Sequence, residues 1–376
     1  MDFALTADQI TLKKNVSELC LSEISPVSDV IEKEERIPSN VVARLARAGV
    51  CGLPFDNKYG GSGGGFIGAT LALEEIARTS GAVAMLVGMN YLTGIPIDLF
   101  GTEKQKRHHL ESLCQGKSIG SFAFTEASTG SDPGAITTKA AIDGDHVVLN
   151  GTKRFITAGD LDGIIVMSAY DGKGVSTYIG DKNVTGYIVT KTWHKLGMHG
   201  ISLADLSLEN YRIPLENQLG DGGTGFKLLL ETIALGKLDT CAIILGCAQA
   251  ALDEAVKYAK GRMVRGKAIA ESQNIQTLVA EMAVKIEAAR WLTYRLATLA
   301  DRKENIRAES ALAKVFVTEA AIEIVNKAFR IHGAYAYVTD NKIERLLRDI
   351  YLGEIVEGSN EVQKAIVANH ILKSAG

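Results

Sequence analysis

The sequence predicts an α+β chain in three parts: an N-terminal helical domain over 1–119, a central β-barrel or sandwich over 120–224, and a C-terminal four-helix bundle over 225–376. Three observations lead there. Apolar residues recur at helical spacing in the first part, short β-rich runs divided by turn residues fill the second, and long helical segments fill the third. A chain of 376 residues is long enough for two or three units and a large buried core.

In the first part, Leu5 to Leu21 and Val41 to Leu53 carry spaced apolar positions, continued by Glu74-Glu75-Ile76-Ala77-Arg78 and by Glu103 to Leu113. Pro26, Pro38 and Pro54 punctuate them. The cluster Gly60-Gly61-Ser62-Gly63-Gly64-Gly65 supplies a GxGxxG match through Gly63, Gly65 and Gly68. No strand precedes it and no Lys-Ser/Thr follows, so it reads as a flexible inter-helix loop rather than a nucleotide loop. In the second part the strands expected are Ser121–Thr125, His146–Leu149, Ile164–Ser168, Val175–Ile179 and Tyr187–Thr190, with turns at Asp143-Gly144-Asp145 and Asp171-Gly172. In the third, helices are drawn at about 225–260, 272–301, 306–334 and 340–372.

Charge and cysteine usage exclude several function classes. The balance of 41 basic to 44 acidic residues gives −3, without a basic patch for nucleic acid. The five cysteines, Cys20, Cys51, Cys114, Cys241 and Cys247, are scattered without a CxxC pair, which speaks against disulfides and zinc. The start lacks the basic and apolar regions of a signal peptide. The apolar run Cys241–Leu252 is too short to span a bilayer. A soluble cytoplasmic protein is expected.

Three segments carry chemistry. Phe122-Ala-Phe124-Thr125-Glu126-Ala-Ser-Thr-Gly130-Ser131-Asp132 ends a strand in hydroxyls and a glycine turn, where backbone N–H groups can hold a polar ring edge or a phosphate. Lys153-Arg-Phe155-Ile156-Thr157 repeats the aromatic-plus-hydroxyl theme. Near the C-terminus, Glu357-Gly358-Ser359-Asn360-Glu361 sets a carboxylate beside a glycine that lets a ligand approach the backbone. Each alone also fits an ordinary strand or helix end.

Together these segments resemble the acyl-CoA dehydrogenase family over nearly the whole chain. The Thr-Glu-x-x-x-Gly-Ser-Asp run at 125–132 looks like its first signature, and Phe155-Ile156-Thr157 stands where Trp-Ile-Thr is usual. Arg262, Gly266 and Gln273 match its Arg-x-x-x-Gly-x-x-x-x-x-x-Gln pattern, and Arg348-Asp349 with Glu357-Gly358-Ser359 matches its C-terminal signature. The resemblance implies a homotetramer (or dimer) with one non-covalent FAD per subunit. Phe122, Phe124, Thr125, Ser131, Phe155 and Thr157 would lie along the flavin or its phosphates, and Ser359 and Glu361 at the adenosine side. Arg262, Gln273, Arg330, Ile331, Gly333 and Ala334 would reach a neighbouring subunit's FAD. Ser131, Lys237 and Gly358 would touch substrate. Glu357 would abstract the α-proton of an acyl thioester while the β-hydride passes to flavin N5. An electron-transferring flavoprotein is the implied acceptor, with oxygen as the alternative. A family branch places its base on the helix after the β region, at the position of Gly236, which cannot serve.

The sequence also departs from the family. The usual Asp-x-x-Arg on that helix is Ala234 and Lys237, and His199-Gly200-Ile201-Ser202-Leu203 replaces Arg-x-Ser-x-Thr. Arg265 stands for an aromatic residue, Gly333-Ala334-Tyr335-Ala336 for Gly-Gly-x-Gly, and Val356 for the Tyr before the base. Lys lacks the bidentate geometry of Arg. One reading is an acyl group tethered to a carrier protein in a biosynthetic pathway; the other is drift in a working CoA site. A flavin monooxygenase or oxidase, or a non-catalytic relative without flavin, are the competing classes. The retained carboxylate and flavin segments favour desaturation.

Overall fold

The computed structural model describes residues 4–132, 134–339 and 341–374. Helix α1 (Ala7–Leu19) starts at a capping box, in which Thr6 Oγ1 accepts from Gln9 N at 3.3 Å and Gln9 Oε1 from Thr6 N at 3.0 Å. Helices α2 (Gly65–Thr79) and α3 (Gly81–Phe100) follow, the second almost wholly buried. By length and composition α3 could cross a membrane, but 78% of its apolar window is buried inside the protein. The glycine cluster joins Phe55 to α2 and is tied down rather than flexible. A Cβ on Gly61 would lie 2.1 Å from the Phe55 carbonyl oxygen, and Ser62 Oγ donates to Gly49 O at 2.7 Å. Asp301 accepts from Phe66 N and Ile67 N at 2.6 and 3.1 Å, so a carboxylate of the chain itself fills the α2 N-terminus.

The central region is one twisted sheet. Its strands are β1 (Ser121–Ala123), β2 (Lys139–Asp143), β3 (His146–Thr157), β4 (Ile164–Tyr170), β5 (Val175–Asp181), β6 (Tyr187–Thr192), β7 (Leu203–Pro214) and β8 (Gln218–Leu219). They run in the order β6-β7-β3-β2-β4-β5-β8, with β1 parallel to β4. The long strand β7 is absent from the sequence expectation. Its alternation of buried and outward residues holds from Ala204 to Leu208 and then changes phase around Asn210, which has φ +48°. It pairs with β3 along most of its length.

Helix α4 (Gly225–Gly261) packs against α2 and α3, α5 (Gln273–Asp301) against α2 and α4, and α6 (Arg307–His332) against α4 and α5. Gly246 makes this approach possible, since a Cβ there would lie 2.3 Å from Glu74 O. Buried Glu74 then joins three helices, accepting from Tyr294 Oη at 2.6 Å, Arg290 Nε at 3.2 Å and Lys13 Nζ at 3.4 Å. The helix expected over 340–372 is instead α7 (Lys342–Ile350), a short turn at Leu352–Ile355, and α8 (Asn360–Ser374). The break falls at Glu357 and Gly358, whose φ values of +55° and +88° cannot continue a right-handed helix.

Arg348-Asp349 clamps the parts together. Asp349 accepts from Met198 N, and Arg348 donates to Leu196 O at 3.1 Å, Glu344 at 2.8 Å and Glu32 at 2.5 Å. Gly197 lets the chains touch, because a Cβ there would stand 2.6 Å from the Arg348 carbonyl.

Candidate active site

The helix break presents Glu357. Lys314, on α6 and fully buried, donates to Gly358 O at 2.6 Å, to Asn360 Oδ1 at 3.3 Å and to Glu354 O at 3.4 Å. Gln363 Nε2 donates to Glu357 O at 3.2 Å and Gly358 O at 3.1 Å. These bonds satisfy carbonyls that the broken helix leaves free and hold Glu357 in its left-handed conformation. Burial draws the Lys314 ammonium down to about 8, with the nearby Cys241 and Glu357 acting the other way.

The Glu357 side chain is half-buried and packs against Gly236 on α4. A Cβ at position 236 would lie 3.1 Å from Glu357 Cδ, 3.3 Å from its Oε2 and 2.8 Å from Leu92 Cδ1. Among the described residues the carboxyl makes no hydrogen bond or ion pair, and its backbone N–H has no acceptor. Burial pushes the carboxyl up to about 7, against the opposing pull of Lys237 and Lys314. An acid poised near neutrality, beside an unengaged N–H donor, suits proton abstraction next to a carbonyl.

Two further groups flank it on α4. Buried Lys237 is drawn down to about 8 by desolvation, partly offset by Glu357. Asp239, 6% exposed, is raised well above the carboxylate range by burial and then by Glu357. Neither side chain has a hydrogen-bond partner among the described residues, and Asp239 Oδ2 is buried outright. Sequence reasoning missed Asp239 and Lys314. The readable signal was an ionisable residue inside each of the small-and-apolar runs 238–248 and 311–317.

The β1 and β3 ends form a second group. Phe122 and Phe124 stack with ring centroids 4.6 Å apart, and Ser121 Oγ donates to Thr157 O at 2.8 Å. Arg154 N donates to Thr125 O at 2.9 Å. Glu126 closes the following loop, accepting from Lys153 Nζ at 2.8 Å, Thr138 Oγ1 at 2.5 Å and Thr137 N at 2.7 Å. Burial opposes its ionisation, but Lys153 and the threonines outweigh burial and bring Glu126 down to about 2. Ser131 is exposed on that loop.

Phe155 owes its position to a β-bulge. Arg154 and Phe155 together face Asp205 alone, between the pairs Lys153–Leu206 and Ile156–Ala204. Asp205 accepts from Phe155 N at 3.1 Å, Arg154 Nε at 3.2 Å and Trp193 Nε1 at 2.9 Å. Phe155 is thereby held at φ +56° with half its surface exposed, its ring 5.3 Å from Trp193. A non-glycine residue kept there by a backbone bond to a carboxylate that Arg154 and Trp193 also hold is a strained feature of the kind found at ligand sites.

A third group is separate. Arg262 lies 5.8 Å above the Tyr335 ring, and Tyr258 stacks on His332 at 4.4 Å, which brings Arg262 to the 330–336 segment. Arg262, Gln273, Arg330, Gly333 and Ala334 are exposed, while the Ile331 side chain is buried and leaves only backbone to offer a ligand. No hydrogen bond, ion pair or ring contact joins this group to Glu357 or Phe155 among the described residues. Ser359 and Glu361 open α8 beside the base, Glu361 exposed and held low by bonds from its own backbone and Ser359.

Comparison with known proteins accounts for all three parts. The family models "Acyl-CoA dehydrogenase, N-terminal domain", "middle domain" and "C-terminal domain" match residues 6–117, 121–211 and 223–372. The chain is 36% identical to an acyl-CoA dehydrogenase of Bacillus subtilis (strain 168) over 374 residues, 98% of this chain and 99% of that one. It is 39% identical to a 3-(aryl)acrylate reductase of Clostridium sporogenes (strain ATCC 15579) over 368 residues, 96% and 98% of the two chains. The butyryl-CoA dehydrogenase structure from Megasphaera elsdenii superposes with a TM-score of 0.96 at 32% identity, covering 99% and 100%. With the helix–sheet–helix order, the loop-borne Glu357 and these matches over nearly its full length, the chain belongs to the acyl-CoA dehydrogenase family.

Proposed function

We propose that the chain desaturates an acyl thioester across its α,β carbon–carbon bond, with Glu357 as the base. The observation that carries this reading is the Glu357 carboxyl, raised to about 7 and packed on Gly236 where no competing side chain stands. Its carboxylate takes the α-proton, and its free backbone N–H stabilises the charge that develops on the thioester oxygen. Lys237 and Lys314 favour the ionised form of the base without neutralising it in an ion pair. FAD, when bound, supplies the hydride acceptor.

The residues fit that cofactor. A half-exposed Phe155 on a bulge and the stacked Phe122–Phe124 pair offer apolar faces to a planar ring system. Thr125, Ser131 and Thr157 offer hydrogen-bonding groups next to it, and Ser359 and Glu361 lie near the base. Arg262 offers a cation for a diphosphate. It stands among exposed Met263, Val264, Tyr335 and Tyr337, an apolar face that supports assembly with further copies, a homotetramer in our reading. We place Gln273 and the backbone of 330–334 at that shared edge, and Gly358 and Ser131 next to substrate. The acceptor proposed is an electron-transferring flavoprotein.

Delivery on a carrier protein is a second reading, favoured by position 237. Lys237 is buried and lies in the field of Glu357, and Ala234 is apolar, so neither offers an exposed anchor for a CoA arm. Anaerobic mixing of the purified protein with acyl-CoA and acyl-carrier thioesters tests both readings by flavin bleaching. Bleaching with some thioester, lost in Glu357→Gln while FAD is kept, is expected. Bleaching of the variant at the wild-type rate would disprove the base assignment.

A further inference from the structure

Asp239 is unexplained by proton abstraction. Among the described residues it is the one carboxylate with a buried oxygen lacking any hydrogen-bond partner, although the residue is only 6% exposed. Such a group is costly where an apolar residue of similar size would pack freely. The other buried orphans among the described residues are three threonine hydroxyls, Arg345 Nε and Gln363 Oε1; a carboxyl is the costliest acceptor to leave unpaired, and it points to a partner that arrives from outside.

The position of Asp239 says where that partner sits. Gly236, Asp239, Thr240 and Ile243 recur at helical spacing and share one face of α4. Gly236 touches the Glu357 carboxyl, and α3 packs on the same face at Gly88, where a Cβ would lie 3.8 Å from Asp239 Cβ and 3.3 Å from Ile243 Cδ1. Further along, Met85, Thr240, Ile243, Ile244, Gly353 and Val356 line a narrow apolar crevice. The crevice is closed in this structure, so an acyl chain whose α-carbon meets Glu357 would have to part α3 from α4 along this face to pass Asp239. The charged or titratable neighbours are Glu357 from the helix break, Lys237 and Cys241 on the same helix, and the Tyr91 hydroxyl of α3, which donates to Val50 O. No cation reaches the Asp239 carboxyl within 4.0 Å among the described residues.

We infer that Asp239 is a specificity-determining residue, accepting a hydrogen bond from an N–H or O–H group carried by the acyl chain. The preferred substrate is then an amino- or hydroxy-substituted acyl thioester rather than a plain aliphatic one. This rests on the acyl-thioester reading of the site. A pocket built around a polar partner discriminates strongly against the analogue that lacks it, because the buried group is then left unpaired.

Three pantetheine thioesters of matched size decide it: butyryl, 3-hydroxypropionyl and 3-aminopropionyl, the terminal methyl being replaced by hydroxyl or ammonium. Anaerobic calorimetric titration of the FAD-loaded protein reads binding, and flavin absorbance in the same samples reads chemistry. At least one substituted thioester binds roughly tenfold or more tighter than butyryl. Asp239→Leu reverses that order. Asp239→Asn, which keeps an acceptor, retains a preference for hydroxyl but loses one for ammonium, which separates the two donor types. Butyryl binding as tightly as both others, an unchanged ratio in Asp239→Leu, or no binding by any of them overturns the inference. Binding in the expected order without any bleaching overturns desaturation and leaves the selection by Asp239 standing. Circular dichroism and FAD content of both variants establish that they are folded.

Discussion

The Glu357 carboxyl rests on the bare backbone of Gly236: a Cβ at 236 would come within 3.1 Å of Glu357 Cδ. Two positions far apart in sequence are thus mutually exclusive as places for a bulky side chain. The same contact removes the rival base and makes room for the one proposed.

Gly236→Ala tests this. The added methyl must push Glu357 or Leu92 aside, at a cost of about 1–3 kcal/mol in stability by urea denaturation. A misplaced base costs far more in rate, and anaerobic flavin bleaching is expected to slow by about 100-fold.

The pH dependence follows from the Glu357 carboxyl, which burial raises from 4.5 to about 7. Only the ionised form accepts a proton, so the bleaching rate rises as pH passes through about 7 and levels off above it. Stability moves the opposite way. The folded state holds this proton more tightly than the unfolded one, so the contribution of Glu357 to stability falls between 4.5 and about 7. Glu357→Gln should flatten both profiles in stopped-flow and urea measurements.

Lys153→Met is expected to destabilise the protein by about 3–5 kcal/mol, because it leaves the buried Glu126 carboxylate without its cation. The pair is nearly inaccessible, at 0% and 1% side-chain exposure. Glu126 is held down at about 2, so its stabilising contribution is present above 4.5 and is lost as pH falls through about 2. Urea curves at neutral and acid pH read both effects.

Arg348→Ala removes bonds to Glu32, Glu344 and Leu196 O and loosens the junction of all three parts. A loss of about 1–3 kcal/mol and faster proteolysis near residues 194–200 are expected, measured by thermal unfolding and limited digestion.

The order of helical, β and helical regions was legible because helical periodicity and short alternating strands are local properties of the chain. Glu357 was legible as a carboxylate beside a glycine, and its fellow signature residues Arg348 and Asp349 as a dipeptide whose clamp only the fold reveals. Strand β7 was readable by alternation up to Leu208, but its phase change at Asn210 hid it. Local sequence could not show that a bulge opposite Asp205 turns Phe155 outward, since one strand determines the conformation of another. Nor could it show that Lys314 pins the Glu357 turn, or that Asp239 faces the base with no partner. The sequence by itself determined the order of helical and β regions, the family resemblance and which carboxylate is proposed as the base. Tertiary structure decided its environment, because burial and charge proximity depend on helices brought together from distant parts of the chain.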